Sequence, residues 1–152
     1  MTRYVLAVDP GKVTGLALFS YTSGGEPALD WSGEVEFADF IFETRKSFEL
    51  FGDELEIICE KFTINTQTAK KAQAPYSLEV IGALKSIMLD NGRDPEALMY
   101  QQPADAMAMF TNEKLKKLEY WHRGGAGHAL DAIRHGLLRL VKSGWIPTRL
   151  LK

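Results

Sequence analysis

The stretch Arg3–Phe19, RYVLAVDPGKVTGLALF, decides how the rest of the chain is read. Tyr4 to Val8 form a continuous apolar run, the pattern of a strand buried on both faces, and the run stops on a carboxylate followed by Pro10-Gly11. A second apolar run begins within a few residues, so Asp9-Pro10-Gly11-Lys12 reads as a tight turn joining two strands. Asp before Pro-Gly is a common turn residue, and an acid at the end of a buried strand is also where open sheets place their sites.

Working outward, strands are expected near 3–8, 14–20 and 29–37, the third reached through Ser23-Gly24-Gly25, which makes an antiparallel meander. A helix fits 38–52, where Phe40, Ile41, Thr44, Phe48 and Phe51 recur at helical spacing and Gly52-Asp53 ends it. Leu55–Glu60, LEIICE, is another apolar strand that ends on an acid. After a polar stretch at 61–76 come a helix at 77–90 closed by Asn91-Gly92, a strand at 97–102, a short helix near 104–109, a basic segment at 111–120 and a final helix at 128–142. Strand-helix-strand units after a meander give an α/β fold: a mixed five-stranded sheet, its first three strands antiparallel and the others parallel, with helices on both faces.

The 152 residues are one domain's worth, enough to bury roughly two thirds of the unfolded surface, and 45% of them are hydrophobic. The sequence holds no 18-residue apolar segment and no signal-peptide layout at its N-terminus, and the single Cys59 cannot form an intrachain disulfide. A soluble, cytoplasmic protein without a membrane partner is expected. The net charge of −2 conceals a gradient. Residues 1–60 carry 4 Lys/Arg against 12 Asp/Glu, whereas residues 111–152 carry 9 against 3. A basic C-terminal third marks either solvated helix faces or a contact with a polyanion.

If the strands ending in Asp9 and Glu60 lie side by side and parallel, the two acids meet at one edge of the sheet. Adjacent carboxylates repel, and one must take up a proton unless a cation sits between them. A divalent ion is the natural resolution. The third element is Gly127–Gly136, GHALDAIRHG. On a helix, His128 and Asp131 share a face one turn from its start. Ala129, Leu130, Ile133, Leu137, Leu140 and Val141 fall on one side, and His128, Asp131, His135, Arg139 and Lys142 on the other. That second side reads either as a solvated polar face or as a site lying over the edge that bears Asp9 and Glu60.

Taken in order, Asp9-Pro-Gly with Thr14-Gly-Leu-Ala, then Ile57-Ile-Cys-Glu60-Lys-Phe, then His128-Ala-Leu-Asp131-Ala resemble the RuvC-type Holliday junction resolvases of the RNase H-like (retroviral integrase) nuclease superfamily. The resemblance spans nearly the whole chain. It implies an RNase H-like fold and a metal-dependent endonuclease that resolves Holliday junctions, and other branched DNA, by phosphodiester hydrolysis in DNA recombination and repair. It also implies that Asp9, Glu60, His128 and Asp131 are the catalytic and metal-binding positions and hold two Mg²⁺ or Mn²⁺ ions. Hard oxygen ligands agree with such ions, and no second Cys points to zinc.

Lys61, Lys70 and Lys71 flank the loop after Glu60, and Lys114, Lys116, Lys117 and Arg123 precede the last helix. Together they are expected to form a basic surface for DNA, with Phe62 stacking on an unpaired base. Beyond Phe62 the 61–76 segment has no clear counterpart in the bacterial resolvases, and the 111–121 segment is closer to resolvase-like proteins of phages. Because a four-way junction is resolved by two symmetric nicks, a homodimer is expected, with Leu78, Gly82 and Leu89 as its apolar stripe. The competing reading is another RNase H-like nuclease that acts on flap or fork DNA or on RNA. A sugar-kinase-like fragment lacks its second domain, and an inactive DNA-binding module would have no chemical use for the four ligands.

Overall fold

The computed structural model describes residues 1–69 and 74–152. Five strands, β1 (Thr2–Asp9), β2 (Thr14–Thr22), β3 (Ala28–Val35), β4 (Leu55–Glu60) and β5 (Met99–Gln101), form one sheet in the order β3-β2-β1-β4-β5. β1 pairs antiparallel with β2, and β2 with β3, while β4 lies parallel to β1 and β5 parallel to β4. The mixed sheet is the expected one. β1 is central, which is why its run from Val5 to Val8 is apolar at every position.

The pleat sends alternate residues of β1 to opposite faces. Leu6 and Val8 join Leu16, Leu55, Ile57 and Cys59 in a core shared with α1 (Phe37–Phe51) and, beyond a short α2 (Thr66–Ala69), α3 (Ala74–Asp90). Val5 and Ala7 face the other way, toward α4 (Pro103–Met109), α5 (Asn112–Lys117) and α6 (His128–Lys142), and pack with Phe19, Ile58, Phe110, Ile133 and Leu137. Asp9 has the parity of Val5 and Ala7, so its side chain belongs to the α6 side.

Boundaries differ from expectation where local chemistry intervenes. β3 stops at Val35 because Glu36 already occupies the cap position of α1. β5 shrinks to three residues because Pro95–Ala97 forms a 3-10 turn, capped by the Asp94 side chain accepting from the Glu96 N–H at 2.9 Å, and because Pro103 opens α4. Among the described residues α3 is already formed at Ala74, ahead of the expected 77, and the basic segment contains α5, where the Thr111 hydroxyl accepts from the Lys114 N–H. No helix among the described residues is long and apolar enough to cross a membrane.

Two glycines let α6 down onto the sheet. A β-carbon on Gly136 would strike the Phe19 ring, and one on Gly15 would strike the His128 carbonyl. Larger residues at either position would hold the helix start away from the strand ends.

Candidate active site

The register sets the site. Asp9 pairs with Gly15 and Gly15 with Glu34, while Val8 opposite Cys59 brings Asp9 and Glu60 to one level, and Glu60 pairs with Gln101. One rung across five strands therefore reads Glu34, Gly15, Asp9, Glu60, Gln101. The parallel arrangement needed for the two acids to meet is present. The start of α6 crosses this rung.

Asp9 is 5% exposed, and its Oδ2 lies 2.9 Å from His128 Nδ1, which donates to it. Burial pushes the Asp9 carboxyl up to about 6; the His128 hydrogen bond works against that rise, and the charge of Glu60 adds to it. The same hydrogen bond raises His128 above the usual imidazole range. Behind Asp9, the buried Ser77 hydroxyl donates to the Pro10 carbonyl at 3.0 Å and the Thr14 hydroxyl to the Gly11 carbonyl at 3.2 Å, fixing the turn from α3 and from β2.

His128 is positioned from β3. Glu34 Oε1 accepts the backbone N–H groups of Ala126, Gly127 and His128 at 2.7, 3.1 and 3.3 Å, a carboxylate at the positive end of α6 that satisfies donors the helix cannot. Asp131, one turn on, accepts from Arg134 Nη1 at 2.7 Å. Its carboxyl is raised chiefly by burial, against the pull of Arg134. Arg134 is itself buried and also donates to the Phe110 carbonyl at 2.8 Å and to the Asn112 side chain, so one guanidinium ties Asp131 to the α4–α5 connection.

Glu60 accepts from His135 Nε2 at 2.9 Å, and His135 Nδ1 lies 3.0 Å from Gln101 Oε1. Of the two readings of this side of α6, the one that lays it over the edge bearing Asp9 and Glu60 is realised. His135 is 1% exposed and Arg134 4%, and Arg139 is committed to Glu56 at 2.6 Å. Arg134, His135 and Arg139 answer acids from the sheet and from the helix's own first turn, while Lys142 at the far end of the face is exposed.

Asp9, Glu60, His128 and Asp131 together line a cleft of about 700 Å³, with Lys61, Phe62, Thr63, Gln102 and Pro103 on its walls. All four sequence-predicted site residues are thus brought together. Of the predicted DNA-contacting residues, Lys61 and Phe62 line the cleft. Lys114, Lys116, Lys117 and Arg123 do not line it. The Lys114 ammonium donates to the Met109 carbonyl at 3.1 Å, Lys116 lies 4.7 Å over the Trp121 ring, and Lys117 and Arg123 are exposed. Lys70 and Lys71 lie outside the described residues.

Sequence reasoning missed Glu34, Arg134 and the role of His135. The spacing of His128, Asp131 and His135, at i, i+3 and i+7, already puts the three on one face. Glu34 carries no such signal, since only the β2–β3 register brings it beside Gly15.

The donor set fits divalent cations. Three carboxylates and an imidazole share one cleft, and the hydrogen bonds of Asp9, Glu60 and Asp131 to His128, His135 and Arg134 each engage one oxygen, Oδ2, Oε2 and Oδ1 in turn. Burial above all, with a smaller addition from the charge of Glu60, holds the Asp9 carboxyl up against its imidazole partner. No three His, Cys, Asp or Glu groups among the described residues close around one point; His128, His135 and Arg134 each hold one of the acids.

No family model matches the sequence, and no curated protein matches it. Solved structures do. Thermus thermophilus RuvC in complex with a Holliday junction substrate superposes with a TM-score of 0.68 at 14% identity, covering 93% of this chain and 96% of that one. The fowlpox virus resolvase in complex with Holliday junction DNA gives 0.54 at 12% identity, covering 91% and 99%. The chain has the RuvC-like, RNase H-like fold.

Proposed function

We propose that this chain is a metal-dependent endonuclease that resolves four-way DNA junctions by phosphodiester hydrolysis. The observation that carries the reading is the meeting of Asp9 and Glu60 from adjacent parallel strands with His128 and Asp131 from α6 in one open cleft, on a fold shared with two proteins solved in complex with Holliday junctions.

Asp9, Glu60, Asp131 and His128 would hold two Mg²⁺ or Mn²⁺ ions, which when bound supply positive charge for activating water and for stabilising a leaving 3′-oxygen. The protein's own residues do the rest. Asp9, at the middle of the sheet between Glu60 and α6, is placed to serve both ligand groups. With Nδ1 engaged by Asp9, His128 has Nε2 to offer to water or to a ligand in the cleft. Phe62 and Lys61, on the cleft wall, suit an unpaired base and a phosphate. Two symmetric nicks require two such clefts, so the acting species is a homodimer, and the junction is its partner.

The test is cleavage of synthetic four-way junctions beside flaps, forks, linear duplex and RNA, with Mg²⁺ or Mn²⁺ and with Asp9→Asn as control. Paired nicks in the junction alone support the reading. Equal cutting of every substrate would favour a less selective RNase H-like nuclease, and cutting by the Asp9→Asn protein would remove the site.

A further inference from the structure

We infer that His135, braced by Gln101, is a positioning residue that fixes the direction in which the Glu60 carboxylate faces the cleft. This rests on Glu60 belonging to a divalent-cation site. Glu60 and Gln101 are partners on adjacent strands, and the Lys61 N–H continues the ladder to the Gln101 carbonyl at 2.8 Å. The His135 ring bridges their two side chains, 2.9 Å from Glu60 Oε2 and 3.0 Å from Gln101 Oε1. Both ring nitrogens are engaged, so the ring cannot turn without breaking both contacts.

Packing does not require an imidazole there. Ile133 and Leu137, the apolar residues two positions to either side, are fully buried, and His135 at 1% exposure is buried as deeply. An apolar side chain could be buried at this position too, but would leave the Glu60 and Gln101 side chains without this partner. What the imidazole adds is a donor to Glu60 held from behind. Gln101 completes the brace: it is 4% exposed, and a ring that donates from Nε2 to Glu60 takes a donor at Nδ1, which the Gln101 amide supplies through its NH2 group, otherwise buried without a partner. Glu60 is less buried than either and would otherwise sample several rotamers. With Oε2 tied to His135, Oε1 remains for a cation, the arrangement in which an outer partner orients a ligand.

Mn²⁺ binding to the DNA-free protein, read from the free-ion electron paramagnetic resonance signal, tests this without any cleavage. His135→Leu should weaken Mn²⁺ binding about ten- to a hundredfold, the usual effect of losing an outer partner. His135→Gln, whose amide can donate to Oε2, should restore most of it, and His135→Leu should add nothing in a Glu60→Gln background. Wild-type affinity in His135→Leu, or an equal further loss in the Glu60→Gln background, overturns the inference while leaving the cation site standing. Wild-type affinity in Glu60→Gln alone removes Glu60 from the cation site and overturns both. If His135→Leu does not fold by circular dichroism, Gln101→Met carries the test: several-fold weaker binding supports the brace, and unchanged binding refutes it.

Discussion

Gly15 lies against the backbone carbonyl of His128, so closely that a β-carbon could not be accommodated. The same glycine is the ladder partner of Asp9, so a single hydrogen atom for a side chain sets the distance between the first strand end and the start of α6. Gly15→Ala should destabilise the protein by roughly 1–3 kcal/mol, the range for overpacking. Because the clash is at His128, cleavage should fall by more than the unfolded fraction explains. Urea unfolding and single-turnover cleavage on one preparation check this, and loss of activity in strict proportion to loss of fold would contradict it.

Asp9→Asn, Glu60→Gln and Asp131→Asn should each abolish cleavage with the fold retained. Junction binding should persist or tighten, since each change removes a negative charge beside phosphates. His128→Asn should lower turnover about 10²- to 10⁴-fold if the ring moves a proton, the range for general acid or base loss. Wild-type turnover by any one variant takes that residue out of the site.

Stability of the metal-free protein should fall as pH rises. Asp9 titrates near 6 in the fold, above its ordinary value of 3.8, so the fold binds that proton more tightly than the unfolded chain does and loses stability between about pH 4 and 6. His128 is raised, chiefly by its bond to Asp9, so its contribution is present below the ordinary imidazole range and is lost as pH climbs through the folded value. Both slopes have the same sign. Asp9→Asn should flatten the profile and, at about pH 7.5, stabilise by on the order of 2 kcal/mol. Divalent ions compete with the Asp9 proton, so Mn²⁺ affinity should rise through about pH 6. Calorimetry across this range checks both, and stability increasing with pH would contradict the burial argument.

The strand ends were legible in the sequence because a buried strand advertises itself: Tyr4–Val8 is apolar without interruption, Leu55–Cys59 is apolar except at Glu56, and each stops on an acid. The helix bearing His128 and Asp131 was legible from its start to its end. The polar half of that helix was not. His135 looks solvated by periodicity and Arg134 falls between the two sides, and only the assembled sheet shows that Glu60 and Gln101, together with the α4–α5 connection, supply their partners. Glu34 was invisible for the same reason: its partners are N–H groups 92 to 94 residues away, brought to it by strand register rather than by local spacing.

DNA affinity should report which lysines touch phosphate. Each such contact contributes roughly 0.9 to the slope of log affinity against log salt. Gln in place of Lys114, Lys116 and Lys117 together should lower that slope by up to about 2.7 if all three contact DNA. Lys114 is drawn back to the Met109 carbonyl and Lys116 sits over Trp121, so Lys117→Gln alone should account for the largest single share. Fluorescence anisotropy across a salt series measures it, and an unchanged slope in the triple variant would make the segment a solvated surface.

Homodimer formation is expected through α3. Val80, Leu84, Ile87 and Met88 are spent on the core, with Ile81 and Ala83 packed against it. Leu78 and Leu89 are 46% and 63% exposed, and a β-carbon on Gly82 would meet nothing within 4 Å. The competing arrangement, in which this stripe packs on another helix of the same chain, leaves no reason for two leucines to be this open. A two-fold contact would place the same patch on both subunits, with Gly82 allowing the helices to approach closely. Gly82→Glu puts a charge at the centre of that contact while facing only solvent in the monomer. It should give a folded monomer by light scattering that still nicks a junction on one strand but loses coordinated resolution. A variant that stays dimeric and makes paired nicks at the wild-type rate would move the interface elsewhere.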